Sequence, residues 1–146
     1  MTMKSLLDRG FLKRLRRDDR GAVAIEFALI APILFALLFG VVTLGFYIGV
    51  SQSVQQLATA AARASVAGLD ETERRSLANA YLAEAGTHYP LLTDDALTTS
   101  LTYDGNPVPG MTVYVSYAAE GTLLDVANGF LGLGLTTVRG SAYLAY

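Results

Sequence analysis

The sequence predicts an α+β protein: a long N-terminal transmembrane helix, a second helix, and a small antiparallel β-sheet head of about three strands resting on helices. Three observations carry that prediction. A stretch with no charged residue runs from Phe27 to Val50, and the chain beyond it has no proline until Pro90. From Ala96 the apolar residues stop recurring at helical spacing and begin to alternate. The turn-rich segment Asp104 to Gly110 then separates two alternating runs.

The first helix is expected from Ala22 to Ala67, roughly 65–70 Å long at 1.5 Å per residue. Its second half is rich in alanine and glutamine, which favour helix. There Val54, Leu57, Ala58, Ala61, Ala64 and Ala67 form one apolar stripe. Gly68 is the expected stop. Asp70 with Glu73 three residues later has the spacing of a capping box for the second helix. That helix carries Leu77, Ala80, Tyr81 and Glu84 at helical spacing, is expected to end at Gly86, and should pack on the first through Leu77, Tyr81 and Leu82.

Leu97, Thr99, Leu101 and Tyr103 alternate with polar residues, as do Met111, Val113, Val115 and Tyr117, so the two runs read as a hairpin. Thr122 to Leu133 reads as a short helix capped by Thr122. Leu135 to Tyr146 reads as a third strand in which Val138, Ser141, Tyr143 and Ala145 break a clean alternation near Gly140. The strand tyrosines are expected to pack on strand faces; the other reading is an adhesive surface.

Charge divides the chain of 146 residues unevenly. Between Met1 and Gly21 stand seven basic residues, Lys4, Arg9, Lys13, Arg14, Arg16, Arg17 and Arg20, against Asp8, Asp18 and Asp19. The remainder is net acidic. A basic head that abuts an apolar run sets membrane orientation, with the N-terminus cytoplasmic and the C-terminus outside, and argues against nucleic acid as a partner. The apolar run reaches the length of about 20 residues that a bilayer core requires, and it exceeds the roughly 7–15 residues of a cleaved secretory signal. The expected division is therefore a basic leader at 1–21, the transmembrane half of the long helix at 22–50, and an extracytoplasmic head at 51–146.

Glu26 is the informative residue. A carboxylate at the start of an apolar span is costly and marks a functional candidate; the bland reading places it at the interface. Its setting is Arg20-Gly21-Ala22-Val23-Ala24-Ile25-Glu26-Phe27-Ala28-Leu29-Ile30-Ala31-Pro32. This segment, continuing to Gly40, resembles the prepilin signal of type IV pilins, and within them the TadE-like pseudopilins or minor pilins of tight-adherence (Tad/Flp) pilus systems. The resemblance is specific over about 30 residues and loose beyond them. It implies cleavage between Gly21 and Ala22 by a prepilin peptidase on the cytoplasmic side, which would make Glu26 the fifth residue of the mature chain. Glycine before the bond lets the backbone lie extended in a protease cleft. The resemblance further implies that Glu26 neutralises the N-terminal amine of a neighbouring subunit and that Phe27 packs against neighbouring helices. Pro32 lacks a backbone donor. Two readings of it stand open, a kink or local melting of the helix and simple tolerance among neighbouring membrane helices.

The partners implied are the peptidase, related pseudopilins, the major Flp-type pilin and the inner membrane, with the head in the periplasm or in an extracellular pilus. Gly45 and Gly49 make a small-xxx-small pair that allows close helix approach, a pattern common in membrane helices.

No catalytic, cofactor-binding or metal-ligating residue is assigned. There is no cysteine, and the one histidine, His88, is expected in a loop with no second histidine to complete a zinc set. Asp94-Asp95 and Asp104-Gly105-Asn106 lack calcium-loop spacing, and Gly129 to Gly134 lacks the setting of a dinucleotide site. No small-molecule substrate is expected. The competing reading is an unprocessed single-pass anchored binding protein or secretion-apparatus subunit that keeps its leader.

Overall fold

The computed structural model describes residues 19–105 and 107–146. The basic leader up to Asp18, and Asn106 in the hairpin turn, lie outside the described residues. The architecture is α+β, as the periodicities predict. Helix α1 spans Asp19–Ala64 and tightens into a 3-10 turn at Ser65–Ala67. Helix α2 spans Glu71–Ala83 and a short α3 spans Ala85–His88. Strands β1 (Leu97–Asp104), β2 (Gly110–Ala118) and β3 (Thr137–Ala145) form one antiparallel sheet in the order β1-β2-β3. Helix α4, Leu123–Leu131, connects β2 to β3. The chain falls into two compact units, one up to Val41 and one from Val42 to Tyr146.

In the second unit, the stripe on α1 is Val50, Val54, Leu57, Ala58, Ala61 and Ala62, all buried. It departs from the expected stripe at its end. Ala67 is exposed and Ser65 is buried in its place, its hydroxyl donating to the Ala62 carbonyl at 2.6 Å. The 3-10 turn rotates the face and carries Ala67 outward. Gly68 does end the helix, but with φ −75° and ψ 141° it uses none of glycine's left-handed freedom. A Cβ there would lie 2.6 Å from the Arg74 backbone nitrogen, so close approach of α2 is the constraint.

Asp70 caps α2 by accepting from the Glu73 N–H at 2.8 Å, an arrangement worth about 1 kcal/mol. The Glu73 carboxylate returns to the Leu69 N–H at 2.8 Å, one residue before its place in a standard capping box. Leu82 enters the core and Tyr81 packs against it, whereas Leu77 is only half-buried and Ala78 and Ala85 fill the remaining positions. Gly86 does not terminate α2. The helix stops at Ala83, and Gly86 lies inside α3, where its N–H donates to the Asp94 carboxylate at 2.8 Å.

The inner face of the sheet presents Leu97, Leu101 and Tyr103 from β1, Met111, Val113, Val115 and Tyr117 from β2, and Val138, Ala142 and Leu144 from β3 to the core. The alternation in β3 is unbroken. Val138, Gly140, Ala142 and Leu144 point inward while Ser141, Tyr143 and Ala145 point outward, so the expected break at Gly140 does not occur. Gly140 misled the pattern because it is an inward position without a side chain. Helix α1 crosses the sheet there: a Cβ would meet Val54 Cγ1 at 3.0 Å and the Gln55 backbone at 3.1 Å. Beside it the Gln55 amide donates to the Ser141 carbonyl at 2.8 Å and accepts from the Ser141 N–H at 3.3 Å, blunting the free edge of β3. On the outer face, Tyr143 covers Gly110 of β2, which is buried for that reason.

Between α3 and β1, burial pushes the Tyr89 hydroxyl from 10.0 to about 12, with the Tyr81 hydroxyl adding to the shift. A folded pKa above the unfolded one means that the neutral phenol stabilises the fold below pH 10. That contribution is lost as pH rises towards 12. Denaturant titrations at pH 9 and pH 11 should show the lower stability at pH 11, and Tyr89→Phe should reduce the difference.

Candidate assembly site

The five residues singled out by sequence, Gly21, Ala22, Glu26, Phe27 and Pro32, lie on one uninterrupted helix. The helix runs through Pro32 without a break in its assignment. Glu26 follows Ala22 by four residues, so the two share a helix face one turn apart. Glu26 is exposed and is the sole charged residue from Gly21 to Ala62. Phe27 is 68 % exposed.

From Ala22 to Val42 no residue is buried, and Thr43, at 2 % exposure, is the first that is. A helix that leaves most of its apolar length exposed needs an apolar surrounding from elsewhere. At 1.5 Å per residue this open stretch measures roughly 30 Å, the thickness of a bilayer's hydrocarbon core. The stretch Gly21–Ala67 is long and apolar enough to cross a membrane.

The small-xxx-small pair divides between two roles. A Cβ on Gly45 would meet open space, whereas one on Gly49 would lie 3.0 Å from Leu91 Cδ1. Gly49 therefore serves packing inside the second unit.

Several polar groups of the head have structural partners. His88 ends α3 and is not in a loop; its ring stacks on Tyr81 at 5.2 Å between centroids, and its Nε2 lies 3.5 Å from the Glu84 carboxylate. Among the described residues no cluster of three or more His, Cys, Asp or Glu side chains is arranged to hold a metal ion. Arg74, which the sequence reading left without a role, donates from Nε to the Gly68 carbonyl at 2.9 Å and lies 3.5 Å above the Tyr146 ring. It ties the end of α1 to the end of β3. The signal available in sequence was only an arginine in the first turns of α2.

Among the described residues, fold and site together define one apolar helix long enough to cross a membrane and a small α+β head. Residues 21–63 match the family model described as TadE-like protein, in agreement with the resemblance carried by Arg20 to Gly40. No curated protein and no solved structure matches the chain.

Proposed function

We propose that the chain is a minor pilin or pseudopilin of a Tad/Flp-type pilus, released from its leader between Gly21 and Ala22 and acting in pilus assembly and surface adherence. The observation that carries this reading is the open apolar helix bearing Glu26 as its single charge, one turn beyond Ala22, with the family match beginning at Gly21. In this reading the protein is a substrate of a peptidase and a structural subunit, not an enzyme. Its N-terminus is cytoplasmic and its head extracytoplasmic, following the basic leader.

Water adds to the Gly21 carbonyl carbon in the peptidase site, the C–N bond breaks, and Ala22 leaves with a free amine. The bond lies within α1 in the uncleaved chain, so it must unwind first. Glycine lowers that cost by about 1 kcal/mol relative to alanine. The new amine is cationic near neutral pH. Glu26 of one subunit then pairs with that amine on its neighbour, and Phe27 packs between the helices. Pro32 leaves one carbonyl without its helical donor, so the helix can bend there when subunits pack.

A Cβ on Gly21 would meet nothing within 4 Å, so substitution there leaves the fold intact. Gly21→Ala should slow leader release and Gly21→Lys should block it, read as retention of the full-length mass in cells that contain the peptidase. Normal processing of Gly21→Lys would favour the rival, an unprocessed anchored protein.

A further inference from the structure

Strands β1 and β3 each have one edge without a strand neighbour. On β3 that edge is closed at Ser141, whose N–H and carbonyl both bond the Gln55 amide. The same contact fixes which way every strand residue directs its main-chain groups. Residues of an antiparallel ladder alternate between bonding one neighbour and the other. With Ser141 turned outward, Val138, Gly140, Ala142 and Leu144 bond β2 through Tyr117, Val115, Val113 and Met111. The bonds just beyond the strand ends agree, Ala119 N–H to the Thr136 carbonyl at 2.9 Å and Tyr146 N–H to the Pro109 carbonyl at 3.0 Å. The other set on β2, Ser116, Tyr114 and Thr112, therefore bonds β1 through Thr98, Ser100 and Thr102. The main-chain groups of Leu97, Thr99, Leu101 and Tyr103 face the open edge. Leu97 N–H is engaged by the Asp94 carbonyl, which leaves Thr99, Leu101 and Tyr103 with both groups available among the described residues.

Exposed edges are ordinarily blunted by lysine, proline or a bulge. Strand β1 uses none of these. Its register with β2 is continuous from Leu97 to Asp104, and no proline or charged residue stands between Leu97 and Tyr103. Its inward side chains stop short of full burial. Leu97 and Leu101 are half-buried and Thr99 is exposed, whereas Met111, Val113, Val115 and Tyr117 of β2 are buried. Beside Leu97 and Thr99 a groove of about 240 Å³ opens between the strand and α2, lined by Asn79, Leu82, Ala83 and Asp94.

We propose that the open edge of β1 takes up an extended segment of another protein chain as a fourth, antiparallel strand, with aliphatic side chains at alternate positions and a lysine or arginine at its C-terminal end. Antiparallel pairing continues the sheet and is the more stable arrangement per residue. The edge-facing groups of Thr99, Leu101 and Tyr103 supply the ladder, and the groove beside Leu97 and Thr99 receives one aliphatic side chain. The basic residue comes to lie beside Asp94 and Asp95, just before β1. Asp94 is held there by the Gly86 N–H at 2.8 Å, and Asp95 is exposed. A second copy of this chain fits the edge poorly. Its β3 edge is closed by Gln55. Its β1 carries no basic residue, and pairing it antiparallel would bring its Asp104 towards Asp94 and Asp95, like charge against like. The inference concerns the head alone and holds whether or not the leader is cut.

Amide hydrogen exchange of the full chain in detergent micelles, followed by NMR, reads the edge directly. Without a partner, the Thr99, Leu101 and Tyr103 amides should exchange freely while those of Ser100 and Thr102 are protected by β2. A capped peptide of alternating threonine and valine that ends in a pair of lysines should then protect the three edge amides saturably. The same peptide ending in a pair of glutamates should bind about tenfold less tightly. Thr99→Pro removes an edge-facing donor and no bond to β2, so it should abolish the protection while Ser100 and Thr102 stay protected. Asp95→Lys, at an exposed position, should erase the preference for lysine. Free exchange of Ser100 and Thr102 in place of the edge set, no protection by either peptide, or equal binding of the two would each overturn the proposal. Edge amides that become protected as the chain alone is concentrated would make a second copy the occupant, which overturns it as well.

Discussion

Glu26→Ala is expected to release its leader normally yet to enter the pilus at least a hundredfold less than the unsubstituted protein. The carboxylate stands at the start of an apolar helix, where a charge at full depth is costly by about 2.5–3.5 kcal/mol on insertion scales. In the proposed pairing, a neighbour's Ala22 amine would offset that cost only in one register, four residues along the helix. Removing one partner of a buried ion pair costs about 3–5 kcal/mol because the other is left unpaired. The loss corresponds to two or more decades in the assembly equilibrium. Glu26→Gln keeps the shape without the charge and should fail similarly, whereas Glu26→Asp should retain part of the activity. The ratio of subunit in sheared pili to subunit in membranes measures the effect. Normal incorporation of Glu26→Ala would show that the amine is neutralised elsewhere.

Gly140→Val should lower the stability of the head by about 2–3 kcal/mol, the range of overpacking a filled core. The added Cβ meets Val54 and the backbone of Gln55, and backbone in mid-helix cannot turn away as a long side chain could. Relief requires α1 to lift from the sheet, which would also break the paired bonds between Gln55 and Ser141. Gly129→Ala is the matching control. It sits inside α4 with nothing within 4 Å of its Cβ position, so it should be neutral or raise stability by about 0.5–1 kcal/mol. Denaturant unfolding of the two variants in detergent tests the pair, and equal stabilities would contradict close packing at Gly140.

What could be read from sequence was what local chemistry decides. The continuous α1, the Asp70 and Thr122 caps, the hairpin of β1 and β2, and the inward set Met111, Val113, Val115 and Tyr117 each follow from spacing or side-chain type within a few residues. The misreadings occur where tertiary contact decides. Gly86 carries a helix-stop signal but is used inside α3 because Asp94 approaches it. Gly140 hides an inward position. Ala67 matches the helical stripe until the 3-10 turn rotates it out. The residues proposed for assembly stand out in the sequence as a motif, and α1 carries all of them.

The central claim, that this is a processed pilus subunit, is tested most directly by the intact mass and N-terminal sequence of the C-terminally tagged chain made with and without its prepilin peptidase. The account predicts a start at Ala22 with the peptidase and at Met1 without it. A start at Met1 in both would contradict it and leave α1 as a plain signal anchor, with Glu26 an interfacial residue.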